Sequence, residues 1–184
     1  MPAENVRCKF ANVGSFRLKA AEGDQWSFTG IASTPTLDRQ NDTVDPLGAK
    51  FALPLPLLLQ HDPAQPVGHI LSATVDKSGI RVAGKITEPT ADMPAGLAGR
   101  LREAWSSIKT GLVRGLSIGF IPTDFAFNDR HGLDIKAWDW LELSLVTVPA
   151  QPEAGISSFK SITPPSVRTG GYPLRAQSTF KLRS

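Results

Sequence analysis

Gly111-Leu-Val-Arg-Gly-Leu-Ser-Ile-Gly-Phe-Ile-Pro122 is the stretch around which the chain is organised. Its pattern is that of a β-strand carrying one polar side chain, Ser117, between Gly115 and Gly119. Side chains alternate along a strand, which predicts Leu116, Ile118 and Phe120 on one face and Gly115, Ser117 and Gly119 on the other. Glycine inside a strand weakens it and often marks a place where another backbone or a ligand comes close. A hydroxyl on a face cleared by glycines is what a nucleophile needs if a substrate carbonyl is to reach it. The plainer alternative is a core strand with a tolerated serine and two bulge glycines.

The flanking segments give the stretch its context. Just before it, Leu97, Leu101, Ala104, Trp105 and Ile108 fall on one face of a helix over residues 92–110, with Arg100, Arg102, Glu103 and Lys109 largely opposite. Asp92 is the expected N-cap, Pro94 lies near the first turn, and Gly111 is the expected stop. Just after it, Asn128-Asp-Arg-His-Gly132 reads as a turn, and Leu133–Trp138 and Trp140–Pro149 read as two strands. In the second, Leu141, Leu143 and Leu145 are expected to face one way, and Trp140, Glu142, Ser144 and Val146 the other. A carboxylate among apolar neighbours on an interior strand is expensive unless it is paired.

Further out, Leu53-Pro-Leu-Pro-Leu-Leu-Leu-Gln-His61 is an apolar run ending on a histidine at a turn. Its prolines suit an edge or entry segment rather than a central strand. Residues 67–76 and 79–87 read as a strand pair turning at Lys77-Ser-Gly79. Ser15–Ala20 and Trp26–Ser33 read as a hairpin or meander. Between Thr34 and Gly48 lies a polar loop whose Asp38, Asp42 and Asp45 have turn and capping roles, since their spacing does not fit a calcium loop.

Composition narrows the class. With 184 residues, 41% hydrophobic and 20% charged, the chain suffices for one domain with a core and a tail. No apolar run is long enough to span a bilayer, and residues 1–7 lack the apolar region of a signal peptide, so the expectation is an intracellular protein with no membrane partner. A single cysteine, Cys8, excludes an internal disulfide framework and a cysteine-based zinc site. The net charge of +3 resides in the tail: residues 1–153 hold 15 basic and 17 acidic side chains, whereas every charged residue after Glu153 is basic. The folded part is therefore not expected to bind nucleic acid. From Ser157 onward Pro, Ser, Thr, Gly and basic residues dominate, which predicts a domain over 1–155 and a disordered basic tail over 156–184.

Two catalytic readings fit Ser117. Gly115-Leu-Ser-Ile-Gly119 matches the G-x-S-x-G elbow of α/β-hydrolases, in which the acid and then the histidine follow the serine. Here the only later histidine is His131, fourteen residues on, and no room remains for that fold. The other order is His61, Ser117, Glu142, one group from each of three separated β-segments, matching the need for a base, a nucleophile and a group to orient the base. Against it stand a hydrogen-bonded structural His61 and a Glu142 paired with an arginine.

Three motifs, in order, carry a resemblance. They are Asp38…Asp42-Thr-Val-Asp-Pro-Leu-Gly-Ala-Lys-Phe51 with Pro56-Leu-Leu-Leu-Gln-His61-Asp…Pro66-Val-Gly68, then Gly111–Phe120, then Leu141-Glu-Leu-Ser-Leu-Val-Thr-Val-Pro149-Ala150…Ala154. Across residues 25–155 the chain resembles the tailed-phage prohead (head-maturation) serine proteases, which are related to the herpesvirus capsid-maturation protease. The resemblance implies an α+β fold, a small, mostly antiparallel β-barrel with surrounding helices. It also implies a serine endopeptidase, without metal or cofactor, acting in the host bacterial cytoplasm inside an assembling prohead. Ser117 is then the nucleophile and His61 the general base. Glu142 matches the third position; related viral proteases place a second histidine there, so His69 and Ser144 stay open as alternatives. Gly115, Gly119 and Arg114 are the residues expected near the oxyanion and substrate. The implied partners are the major capsid protein, a scaffold protein and a second copy of the chain. Self-cleavage in the tail is a further expectation. A catalytically silent capsid-assembly module of the same fold is the alternative function.

Overall fold

The alternating apolar segments become nine strands, and the hydrogen bonding of seven of them closes on itself. The computed structural model describes residues 26–160. In chain order the elements are β1 (Ser27–Ser33), β2 (Thr43–Val44), a 3₁₀ turn (Pro46–Gly48), β3 (Ala49–Lys50), β4 (Leu55–Leu59), β5 (Asp62–Asp76) and β6 (Gly79–Ile86). The helix α1 (Ala95–Thr110) follows, then β7 (Gly115–Phe127), β8 (Leu133–Val146) and β9 (Gly155–Lys160). The ring runs β8-β4-β5-β6-β1-β9-β7 and returns to β8. Every contact around it is antiparallel except β4 against β8. β2, β3 and β4 lie in succession along β8, all parallel to it. This is the expected small, mostly antiparallel barrel. The expected surrounding helices reduce to α1 and the 3₁₀ turn among the described residues.

The barrel is filled by the side chains that alternation aims inward. Leu57, Ile70, Ile80, Ile86, Leu116, Trp138, Leu143 and Leu145 are fully buried. α1 covers this core with Leu101, Ala104, Trp105 and Ile108, the face read from its 3.6-residue period. Trp105 stacks on Trp26 at 5.6 Å between ring centroids and meets Phe159 edge-on at 6.0 Å. Truncating so large a buried ring leaves a void that the barrel cannot collapse into. Trp105→Ala is therefore expected to lower stability by about 3–5 kcal/mol. Urea denaturation checks this, and a loss below about 1 kcal/mol would show that α1 is not part of the core.

Several sequence expectations change here, each for a local reason. α1 has Pro94, not Asp92, at its N-cap and no side-chain cap. The Asp92 carboxylate is taken by the Thr90 hydroxyl instead. Gly111 does end the helix, at φ 73°, the left-handed conformation that glycine adopts without a Cβ penalty. Leu133–Val146 is one strand, not two. β4 is not an edge strand, because it pairs with both β5 and β8; the parallel pairing with β8 begins at Leu57, so Pro56 falls outside that ladder. The tail boundary also moves. Gly155–Lys160 forms β9 against β1 and reaches β7 at Gly115. The remaining tail residues, 161–184, and the proposed strand Ser15–Ala20 lie outside the described residues.

Candidate active site

Three features of the barrel bring His61, Ser117 and Glu142 to one place. The first is the β4–β5 connection, in which Leu59 pairs with Asp62 and only Gln60 and His61 turn the chain. Both have positive φ, 52° and 59°. Two left-handed residues in succession are the mark of the type I′ hairpin turn, which normally selects Asn and Gly. A glutamine and a histidine hold that conformation only because their surroundings enforce it, and such strain gathers at functional sites. The Gln60 N–H donates to the Leu145 carbonyl at 3.0 Å, and the His61 N–H donates to the Ser144 hydroxyl at 3.1 Å.

The second feature is a β-bulge. Gly119 lies opposite Glu142 but Phe120 lies opposite Trp140, so Leu141 is the extra residue on β8. The expected alternation through Trp140 and Leu141 therefore breaks: Trp140 turns into the core and Leu141 is half exposed. The Trp140 indole donates to the Glu142 carbonyl at 2.7 Å and fixes the kink. The bulge aims the Glu142 carboxylate at the β4–β5 turn.

The third feature is the pairing of β7 with β8, which sets Ser117 directly opposite Ser144. These positions make a connected polar unit. Glu142 Oε1 lies 2.7 Å from His61 Nδ1, and Glu142 Oε2 accepts from the fully buried Ser144 hydroxyl at 2.8 Å. A carboxylate only accepts, so Nδ1 carries a proton, and in the neutral imidazole the lone pair is then on the other ring nitrogen, Nε2. The histidine side chain is 42% exposed and the carboxylate side chain 14%, so the base can be reached while the group that orients it is shielded. Ser117 is 7% exposed. It shares with His61 a cavity of about 170 Å³, and among the described residues no hydrogen bond holds its hydroxyl.

The alternatives for Glu142 separate on this geometry. Its partner is His61 and not an arginine. Ser144 serves the carboxylate and the His61 backbone together, a double role that sequence reading did not assign to it. His69 is exposed on β5 between Pro56 and Lys85 and does not line the cavity. His131, the histidine of the elbow reading, sits exposed at the turn joining β7 to β8.

The glycines also make room within the fold. A Cβ on Gly119 would collide with the Glu142 carboxylate, its carbon included at 2.7 Å. One on Gly115 would meet Pro149 and the Val146 carbonyl at 2.8 Å. Both positions are cleared for the protein's own atoms. Arg114 is not in this cavity. Its guanidinium lies over Gly111, beside a separate hollow between the end of α1 and β9.

The outer cavity wall comes from the polar loop after β1 and the segment after β8. Arg39 donates to the Pro149 carbonyl at 2.5 Å, and its N–H to the Ala150 carbonyl at 3.0 Å. Buried Gln151 donates to the Thr36 carbonyl at 3.0 Å. As expected, the loop aspartates cap turns: Asp38 accepts from the Gln40 and Asp42 amides, and Asp45 from Leu47. The loop is anchored further by Asp134, which accepts from the Thr43 hydroxyl at 2.7 Å and from the Asn128 amide. These bonds, Thr43 foremost, hold the Asp134 carboxyl below its ordinary value of 3.8. A depressed folded value means stability that is complete above the unfolded value and lost as pH falls through the folded one. Acid unfolding below about pH 4 is therefore expected to be less steep in Asp134→Asn, read by circular dichroism against pH. An unchanged acid limb would show that Asp134 carries none of it.

Comparison with known proteins identifies the family of the chain. A family model described as caudovirus prohead serine protease matches residues 18–165. A capsid polyprotein of Pseudomonas phage PAJU2 is 48% identical over 149 residues, covering 80% of this chain. The chain spans only 22% of that polyprotein's length. Among solved structures, the KSHV protease bound to a hexapeptide phosphonate inhibitor aligns at 20% identity and TM-score 0.41, over 69% of this chain and 62% of the other. The varicella-zoster virus protease aligns at 12% identity and TM-score 0.44, over 71% and 62%. From the family match across most of its length, the chain belongs to the caudovirus prohead serine proteases.

Proposed function

We propose that the chain is a serine endopeptidase of head maturation in which Ser117 is the nucleophile, His61 the general base and Glu142 the group that orients the base. The observation that carries this is the 2.7 Å contact of Glu142 with His61, a histidine that lines one cavity with an unbonded Ser117 hydroxyl. His61 Nε2 takes the Ser117 proton as the oxygen attacks a peptide carbonyl, and the Glu142 carboxylate stabilises the imidazolium that forms. The tetrahedral oxyanion is received by backbone N–H groups near Ser117. The imidazolium then protonates the leaving amine. Water, deprotonated by the same His61, hydrolyses the acyl-enzyme.

The substrates we infer are the major capsid protein and a scaffold segment, processed in the host cytoplasm within the assembling prohead. A relative named capsid polyprotein supports this, because the matching segment is about a fifth of a longer chain that bears the capsid's name. Self-cleavage in residues 161–184 belongs to the same proposal, as does a homodimer. A fluorophosphonate probe tests the chemistry without a known substrate. It is expected to label Ser117 alone, in a manner that requires His61, as read by peptide mass. Labelling elsewhere, or equal labelling in His61→Ala, would contradict the assignment.

A further inference from the structure

The cavity beside Ser117 has a charge that the proposed mechanism does not use. Asp38 and Asp42 both line it, half buried, and no lysine or arginine does. Asp38 spends Oδ1 on two turn amides, and Asp42 spends Oδ1 on the Leu133 amide. The second oxygen of each is unbonded, and neither carboxylate has a cationic partner among the described residues. Two half-buried carboxylates in one concave site focus a negative potential on it. The other walls are apolar, Val44, Ile118 and Phe120. At about 170 Å³ the cavity is below the roughly 300 Å³ at which small-molecule sites begin, so its scale is that of a single side chain. Ser117, a residue more than nine-tenths buried whose hydroxyl is unpartnered, lines the same space.

We infer that this cavity is a specificity pocket for a lysine or arginine next to the scissile bond of the substrate. The aliphatic stem of such a residue lies along Val44 and Phe120 while its cationic head meets Asp38 and Asp42, as long basic side chains do at apolar walls with polar ends. The inference rests on the protease reading above.

The test is cleavage-site profiling of a denatured bacterial protein mixture by the full chain. It compares wild type with Ser117→Ala, with Asp38→Asn/Asp42→Asn and with Gln40→Lys. The asparagines keep the Oδ1 acceptors of the Asp38 turn and of the Leu133 amide, and Gln40 is an exposed residue at the cavity wall, so Gln40→Lys adds a cation without removing a fold contact. Wild type is expected to enrich Lys and Arg at one fixed position flanking the cut. Both charge variants are expected to lower that enrichment by roughly tenfold or more relative to cleavage at neutral sites in the same digest. Ser117-dependent cleavage without basic enrichment, or with enrichment unchanged in Gln40→Lys, overturns the pocket and leaves the protease standing. Absence of any Ser117-dependent cleavage overturns both.

Discussion

Ser117→Ala is expected to reduce peptide cleavage by on the order of a millionfold in kcat, with a fold and a melting temperature close to wild type. The size follows from what is lost. Without the hydroxyl no acyl-enzyme forms, and His61 has only water to activate, so binding and oxyanion stabilisation alone remain. Stability barely changes because the Ser117 hydroxyl holds nothing: no hydrogen bond engages it among the described residues. His61→Ala should be as damaging to kcat. The double variant should be no worse than either single one, since the two act as a unit. Single-turnover assays on a cleavable peptide measure this. Additive losses would show that the residues do not share one step.

The second large effect lies at a residue that touches no substrate. Gly119→Ala is expected to lower kcat by roughly a thousandfold or more, the scale of losing the group that orients the histidine. The added methyl would stand where the Glu142 carboxylate now lies, 2.7 Å from its carbon. The carboxylate must then leave His61, and the Ser144 hydroxyl loses its acceptor in a fully buried position. Glu142→Gln should cost a similar amount by a different route, because an amide can present its N–H to Nδ1 and favour the wrong tautomer. The two are told apart by the histidine: its ring protons shift in both, but the His61 backbone amide, bonded to Ser144, should move far more in Gly119→Ala. Near-normal kcat in Gly119→Ala would mean that Glu142 finds His61 by another path.

How far this arrangement can be read from sequence depends on the range of the physics involved. The helix face of α1 and the strand at Ser117 follow from local periodicity, and both are found. The three positions proposed as catalytic follow from local oddities, a histidine ending an apolar run, a serine between glycines and a carboxylate among leucines. What failed depends on pairing across strands. The bulge at Leu141 exists only because β7 and β8 pair with one residue more on β8, so alternation through Trp140 gave the wrong face. The purpose of Gly119 is set by the side chain opposite it, 23 residues away in the sequence register given by Gly119 and Glu142. β4 was judged by its prolines, yet its place inside the barrel is set by how β8 closes the ring. Ser157–Lys160 has a tail's composition, and only its neighbour β1 makes it part of a strand.

The measurement that bears most directly on the whole account is the intact mass of the capsid protein co-expressed with this chain, wild type against Ser117→Ala. Truncation of the capsid protein with wild type, and full mass with Ser117→Ala, is the predicted result. Full mass in both, or the same truncation in both, would contradict the assignment of Ser117 as the nucleophile of a capsid-processing protease.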